Sequence, residues 1–359
     1  MTPICRASAT VRDDLEKVLS ERVQRFDALP RAPERRHVSA EDFLAIVAAE
    51  SPVIIKGALD HWPALAAGRS SPARLNAYLK DMDTGAPAPV MEAPPSSGGR
   101  YGYSPDMREF TFSKRQGGIS ATLDQMERLI GNPQAPFIAI QMLPLITHLP
   151  EFVRQNPSSL PPPQVAPRLW IGGPVRTQTH NDRDHNLACV IAGRRRFVLF
   201  APVQVSNLYV GPLDNPPPLS LVDPEAPDLD RFPRFRRALA AARVAHLDAG
   251  DALFIPKYWW HHVASLDPYN AMVNYWWGDT ASGLERANDC FLTALLALKD
   301  LPAGERAYWK EMFDSYVFRT DGEESIAHIP PALQGAFGSM SPGTRARLKQ
   351  QLKMAYLKS

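Results

Sequence analysis

The apolar positions change period along the chain, from helical to alternating and back to helical. Near the N-terminus, Leu15, Val18, Leu19, Val23 and Phe26 recur at helical spacing and predict a helix over 13–26. Ser39, an N-cap candidate with Asp42 in the first turn, predicts a second helix from 39 to about 49. The run from Pro52 to Lys56, closed by Gly57, reads as a short buried strand. His61-Trp62-Pro63 then turns the chain into a helical region over 72–79. Residues 86–99 are rich in Pro, Gly and Ser and read as a loop. A strand over 137–143 leads into a proline-rich link over 144–167.

From Arg168 onward the texture is β. Short runs at 168–172, 177–182, 186–192, 194–200, 244–248, 252–255, 259–265 and 271–277 are punctuated by Gly, Pro and Asp, the signature of a sandwich or jelly roll. An insertion over 205–242, with a small helix near 231–241, interrupts the series. After Gly283 the helical period returns at 284–299, 305–318 and 342–357. The expected fold is therefore mainly β with flanking helices. It divides into an N-terminal helical and mixed region (1–135), a barrel core with its insertion (136–282) and a C-terminal helical region (283–359).

Composition narrows the classes without naming one. The chain has 359 residues, 45% of them hydrophobic and 22% charged, which suits one large globular domain plus a smaller one. Its 40 basic and 38 acidic side chains leave a net charge of +2, which points to neither nucleic acid nor a membrane as partner. Cys5, Cys189 and Cys290 are scattered, with no zinc-type pair and no disulfide framework, which suits a reducing cytoplasm. The first twelve residues hold no secretory signal, and no apolar run is long enough to span a bilayer.

The candidate chemistry lies in the β region. On a strand, residues two apart point to the same side, so His180 and Asp182 can reach one metal together. A third ligand has to come from another strand, and Trp259-Trp260-His261-His262 offers two histidines, of which alternation admits one. Two imidazoles and a carboxylate form the facial triad of non-haem Fe(II) oxygenases, which leaves the opposite face open.

Several ordered segments carry a family resemblance. They are Pro52 to Gly57 with His61-Trp62-Pro63, then Leu169-Trp170-Ile171-Gly172, and Thr177-x-x-His180-x-Asp182-x-x-x-Asn186. Gly193 to Pro202, Gly250-Asp251 through Trp259-Trp260-His261, and Val273-Asn274 to Gly278 complete the set. Over roughly 39–278 the chain resembles cupin-like members of the JmjC superfamily and is similar to the asparaginyl hydroxylase of hypoxia-inducible factor. The resemblance implies a double-stranded β-helix that uses Fe(II), 2-oxoglutarate and O2. It implies metal ligation by His180, Asp182 and His261, leaving His262 outside. It also implies co-substrate contacts from Thr177, Asn186 and Asn274, whose hydroxyl and amides hydrogen-bond without adding charge.

Two positions depart from the family pattern. Arg195 stands where the similar hydroxylase has the lysine that holds the far carboxylate of 2-oxoglutarate; arginine can grip a carboxylate with two parallel hydrogen bonds. The tyrosine that shares this task falls near Phe137 or Ile138, and Tyr101 and Tyr103 are the candidates to stand in for it. His185 reads as a loop residue, and Trp259, Trp260, Trp276 and Trp277 read as barrel wall. Loops over 86–103 and 205–235 are expected to frame the entrance. The C-terminal helices dimerise in related enzymes, and the apolar surface of Leu292, Leu295, Leu296 and Leu298 fits a homodimer. The expected activity is hydroxylation of a protein side chain or a small molecule. The rival readings are a cupin metalloenzyme that does not use 2-oxoglutarate and a non-catalytic binding protein on the same fold.

Overall fold

In a computed structural model, which describes residues 26, 28–213, 218–278 and 286–356, the strands form two facing sheets, and from Arg168 onward all but one pair of successive strands lie in opposite sheets. The strands are β1 (Glu34–Arg36), β2 (Val53–Lys56), β3 (Ala88–Ala93), β4 (Arg100–Tyr101), β5 (Ser113–Gly117), β6 (Phe137–Pro144) and β7 (Arg168–Gly172). They continue with β8 (Arg176–Asn181), β9 (His185–Ala192), β10 (Arg195–Phe200), β11 (Arg243–Leu247), β12 (Ala252–Ile255), β13 (Trp260–Ser265) and β14 (Asn270–Trp277). The large sheet runs β1-β2-β12-β9-β14-β7-β6-β3-β5 and the small sheet β11-β10-β13-β8-β4. This exchange of strands between two sheets is the jelly-roll arrangement. Predicted helix 13–26 lies outside the described residues apart from Phe26.

Each layer follows from the two-residue period of its strands. One set of side chains fills the space between the sheets: Ala188, Val190, Leu253, Ile255 and Met272 meet Phe197, Leu199, Leu247 and Val263. The opposite set on the large sheet, with Ile140, Leu187, Phe254 and Val273 among them, is covered by helices Ala40–Ala48, Pro63–Ser70, Pro72–Lys80 and Ile119–Leu129. Outside the small sheet, Val198, Phe200, Val244 and Trp260 pack under the insertion through Leu208, Val222 and Phe235.

Local chemistry accounts for several boundaries. Ser39 and Asp42 form a reciprocal capping box: the Ser39 hydroxyl accepts from the Asp42 N–H at 3.1 Å, and the Ser39 N–H donates to the Asp42 carboxylate at 3.0 Å. Gly193 turns β9 into β10 at φ +69°, and a Cβ there would lie 2.6 Å from the Tyr269 carbonyl. Buried Asp251 accepts from Lys56, from the Gly57 N–H and from the Asp248 N–H, which anchors the Gly250-Asp251 turn to β2. His61 and Trp62 both meet the Pro157 carbonyl, a packing role.

The strands from Arg168 onward all fall within a residue of expectation; β8 ends at Asn181, which leaves Asp182 just beyond it. The region 86–99 is not simply a loop, because β3 lies within it and pairs with both β5 and β6. Its buried positions, Ala88, Val90, Met91 and Ala93, sit among prolines that disguise them. The link over 144–167 holds helices Leu145–His148 and Pro150–Gln155, the second with its proline in the first turn, where no N–H is needed. Helix Ile119–Leu129 went unread, although Ile119, Leu123 and Met126 are spaced for one buried face.

The chain separates into two compact units, through Asp279 and from Thr280. The second is helical, with Ala287–Leu298, Ala303–Phe313 continued by a π-helical turn, and Pro342–Tyr356. Its first two helices bury no residue, and Phe291, Leu292, Leu296 and Trp309 are exposed. Among the described residues, no helix is long and apolar enough to cross a membrane.

Candidate metal centre and its cavity

A cavity of about 550 Å3 opens between the two sheets, and the inward faces of β8, β10 and β13 form one wall. On β13 alternation sends Trp260 and His262 outward and His261 and Val263 inward. His261 and Val263 line the cavity, while Trp260 joins the outer apolar cluster. His262 is buried on the far side, with Nε2 3.2 Å from the Glu225 carboxylate. The structure thus separates two adjacent histidines that spacing alone left equivalent.

On β8, Thr177 and His180 are three apart and would face opposite sides of a regular strand, yet both line the cavity. The β8–β13 register explains this. His261 lies opposite His180 and Val263 opposite Thr177, so two residues of β8, Gln178 and Thr179, oppose His262 alone. This β-bulge resets the alternation between the two inward residues.

His180, Asp182 and His261 converge, with one ligating atom from each lying within 4.8 Å of the others. His261 Nε2 is 3.7 Å from an Asp182 carboxylate oxygen, and the imidazole centroids are 4.3 Å apart. His180 Nδ1 lies 2.9 Å from the Gln178 carbonyl and His261 Nδ1 lies 3.0 Å from the Trp259 carbonyl. A carbonyl only accepts, so each Nδ1 carries the proton and donates it. In the neutral form of such a ring the lone pair lies on Nε2. Burial, and then the neighbouring His180, push His261 down to about 4 against the opposing pull of Asp182, so it stays neutral near pH 7. The Asp182 Oδ2 is buried and, among the described residues, has no hydrogen-bond partner. Two imidazole lone pairs and an unpartnered carboxylate oxygen fit a divalent first-row metal with an open face.

The other residues singled out from the sequence, Thr177, Asn186, Arg195 and Asn274, all line the same cavity. Arg195 is 6% exposed and, among the described residues, has no ion-pair partner; its Nε is buried without a hydrogen bond. Burial alone lowers its guanidinium to about 10, which leaves it charged at neutral pH. Asn274 accepts from Trp170 Nε1 at 2.7 Å and donates to the Asn186 side-chain oxygen at 3.4 Å, a relay that orients both amides. Trp170 was not singled out as a site residue, and only its cross-strand neighbourhood shows the role.

Of the candidate tyrosines, Tyr101 lines the cavity, but its hydroxyl donates to the carbonyls of Phe137 and Met91. Tyr103 is absent from the lining, and its hydroxyl accepts from the Leu219 N–H. His185 opens β9 rather than a loop: its Nδ1 accepts from the Lys257 N–H and its ring packs by Phe254 and Trp277. Trp276 is both wall and lining, edge-to-face with Trp170. Gly102 and Leu219 bring the two expected entrance loops to the cavity, and Phe110, Phe112 and Lys114 add a wall from an unread segment.

Comparison with known proteins identifies the domain that carries this cavity. The model of the cupin-like domain family matches residues 39–283. The lysine-specific demethylase JMJ31 of Arabidopsis thaliana is 41% identical over 111 residues, covering 30% of this chain and 20% of that protein. Human HSPB1-associated protein 1 is 35% identical over 147 residues, 39% of this chain and 30% of that protein. Lysine-specific demethylase 8 of Xenopus tropicalis is 33% identical over 118 residues, 32% of this chain and 25% of that protein. The chain thus matches at most 30% of the length of these relatives. With the jelly roll on which the cavity is built and a family match over most of its length, the chain belongs to the cupin-like domain family, of JmjC type.

Proposed function

We propose that the chain is an Fe(II)- and 2-oxoglutarate-dependent oxygenase that hydroxylates a carbon of a protein side chain or small molecule. The observation that carries this reading is Arg195, a buried cation with no ion-pair partner among the described residues, in the same cavity as the His180–Asp182–His261 cluster. A charged group is buried unpaired at a cost of several kcal/mol unless a ligand supplies its counterion. A small dicarboxylate that chelates a metal at one end and meets a guanidinium at the other fits both features.

In this reading His180, Asp182 and His261 hold the iron. Arg195 takes the far carboxylate of 2-oxoglutarate, and Thr177, Asn186 and Asn274 supply neutral hydrogen bonds. When bound, iron and co-substrate couple decarboxylation of 2-oxoglutarate to insertion of one oxygen atom of O2 into a C–H bond, giving succinate and CO2. The protein's part is positional. The Gln178 and Trp259 carbonyls keep both imidazoles in the ligating tautomer, and the aromatic wall of Phe110, Phe112, Trp170 and Trp276 limits water. The aromatic wall and the framing loops leave the substrate class open.

Purified protein with Fe(II) and O2 should convert 2-oxoglutarate to succinate, N-oxalylglycine should compete, and His180→Ala should abolish the turnover. Iron-loaded protein that neither binds nor consumes 2-oxoglutarate would overturn the reading in favour of a metalloenzyme using another substrate. Protein that takes up no stoichiometric metal would favour a binding module.

A homodimer through the C-terminal helices is part of the proposal. A helix such as Ala287–Leu298, which buries nothing and exposes Phe291, Leu292 and Leu296, gains stability when a second surface covers it. Light scattering at micromolar protein should give the mass of a dimer; a monomer mass removes this part.

A further inference from the structure

The insertion does more than cover the small sheet. Glu225, 6% exposed, reaches three side chains on that sheet's outer face. One carboxylate oxygen accepts from Arg196 Nη2 at 2.7 Å and lies 3.2 Å from His262 Nε2; the other accepts from Arg176 Nη1 at 3.1 Å. These partners stand on β10, β13 and β8, three neighbouring strands. Each is also the chain neighbour of a cavity residue: Arg176 precedes Thr177, Arg196 follows Arg195 and His262 follows His261. Adjacent strand residues point to opposite faces, so one outer carboxylate holds the backs of three inner positions.

We propose that Glu225 is a positioning residue for the iron and 2-oxoglutarate site, fixing the mutual placement of Thr177, Arg195 and His261 from the outer face of the sheet. The inference rests on the oxygenase reading above. Its physical basis is the bulge. Between His261 and Val263 the β8–β13 ladder loses regular register, so main-chain hydrogen bonds hold these strands least well beside the metal ligands. Glu225 bridges this interval by tying His262, which faces the bulge, to Arg176 beyond it. The insertion grips the bulge directly as well: the Ser220 N–H donates to the Thr179 carbonyl at 2.8 Å, and the Gln178 amide donates to the Ser220 carbonyl. Arg196 is steadied by the Phe26 ring, 4.2 Å from its guanidinium, and Arg176 also donates to the Gly98 carbonyl at 3.0 Å. Since Leu219 of the same insertion lines the cavity, a segment that meets incoming substrate also holds the frame of the metal site.

The test compares full-length wild type, Glu225→Gln, Glu225→Asp and a control in another buried ion pair, Asp251→Asn. The readouts are the dissociation constants for Co(II) and, with metal present, for 2-oxoglutarate, followed by quenching of tryptophan fluorescence, together with thermal midpoints. Removal of partners behind a metal site weakens metal binding by tenfold or more, so Glu225→Gln should bind Co(II) about tenfold more weakly. Its 2-oxoglutarate affinity should fall as well, Glu225→Asp should recover part of both, and Asp251→Asn should lower the midpoint with both affinities unchanged. If Glu225→Gln does not fold, Arg176→Gln, at a more open position, should weaken 2-oxoglutarate binding in the same direction. A folded Glu225→Gln or Arg176→Gln with wild-type affinities overturns the inference and leaves the oxygenase reading intact. Wild type that binds neither Co(II) nor 2-oxoglutarate overturns both.

Discussion

Arg195 and Arg196 are neighbours on one strand and both are almost fully buried, yet their surroundings are opposite. Arg196 faces outward and is ion-paired, with Glu225 at 2.7 Å and the Phe26 ring against its guanidinium, although its Nε, like that of Arg195, has no hydrogen-bond partner among the described residues. Arg195 faces inward, into the cavity, and among the described residues no carboxylate lies within ion-pair distance of it. The outer face of the small sheet has settled its charges within the protein, whereas the inner face leaves a cation, a carboxylate oxygen and two imidazole lone pairs open. That asymmetry separates architecture from site. Chemistry is to be sought where a buried charge lacks a counter-charge rather than where buried polar groups are most numerous.

The contrast can be broken most forcefully at Arg196. Arg196→Met leaves the Glu225 carboxylate buried with one strong partner fewer and should cost about 3–5 kcal/mol in denaturant unfolding. A loss below 1 kcal/mol would mean that the outer network is not closed.

Arg195→Met should behave in the opposite way. In the ligand-free protein it removes an uncompensated charge, so stability should hold or rise, while 2-oxoglutarate binding should weaken by about 2–5 kcal/mol, the usual cost of losing one partner of a buried charge pair. Calorimetry of the free variant and titration with the co-substrate read the two effects separately. A variant that is destabilised but binds 2-oxoglutarate normally would return Arg195 to a packing role.

A smaller effect concerns acid. Burial would raise the Glu225 carboxyl, but the hydrogen bond from His262 and the charges of Arg196 and Arg176 outweigh it and hold the carboxyl far below its ordinary 4.5. A carboxyl lowered by folding stabilises the native state fully above its unfolded pKa and loses that contribution as pH falls. Unfolding free energy should therefore decline as the pH falls below about 4.5, and Glu225→Gln should flatten that slope. Equal slopes in variant and wild type would show that other carboxylates set the acid limit.

Much of this molecule is legible in its sequence, and what is not has identifiable physical reasons. The strands from β7 to β14 declare themselves because short apolar runs are separated by Gly, Pro and Asp, and the pairing of His180 with Asp182 is legible from their spacing, although β8 ends at Asn181 and Asp182 lies just past it. The choice of His261 over His262 came from family resemblance; the structure supplies the reason, since Glu225 engages the other histidine from outside. Glu225 itself was not legible. Its partners are 29, 37 and 49 residues away, and it lies in a proline-rich insertion whose course no periodicity describes. The Trp170–Asn274 relay joins residues 104 apart and is equally hidden. β3 escaped because prolines surround its alternation.

The bulge in β8 has a consequence for inheritance. Point substitutions can alter Thr177 or His180 one at a time, but the grip of the insertion on this strand depends on a count, the two residues of β8 that oppose His262. Loss of a single codon at Gln178 or Thr179 would leave Thr177 and His180 two apart, on one face of a regular strand, and would remove instead the bulge whose Gln178 amide and Thr179 carbonyl bond to Ser220 of the insertion. A change of length here would spare the orientation of the pair and release the insertion from behind it.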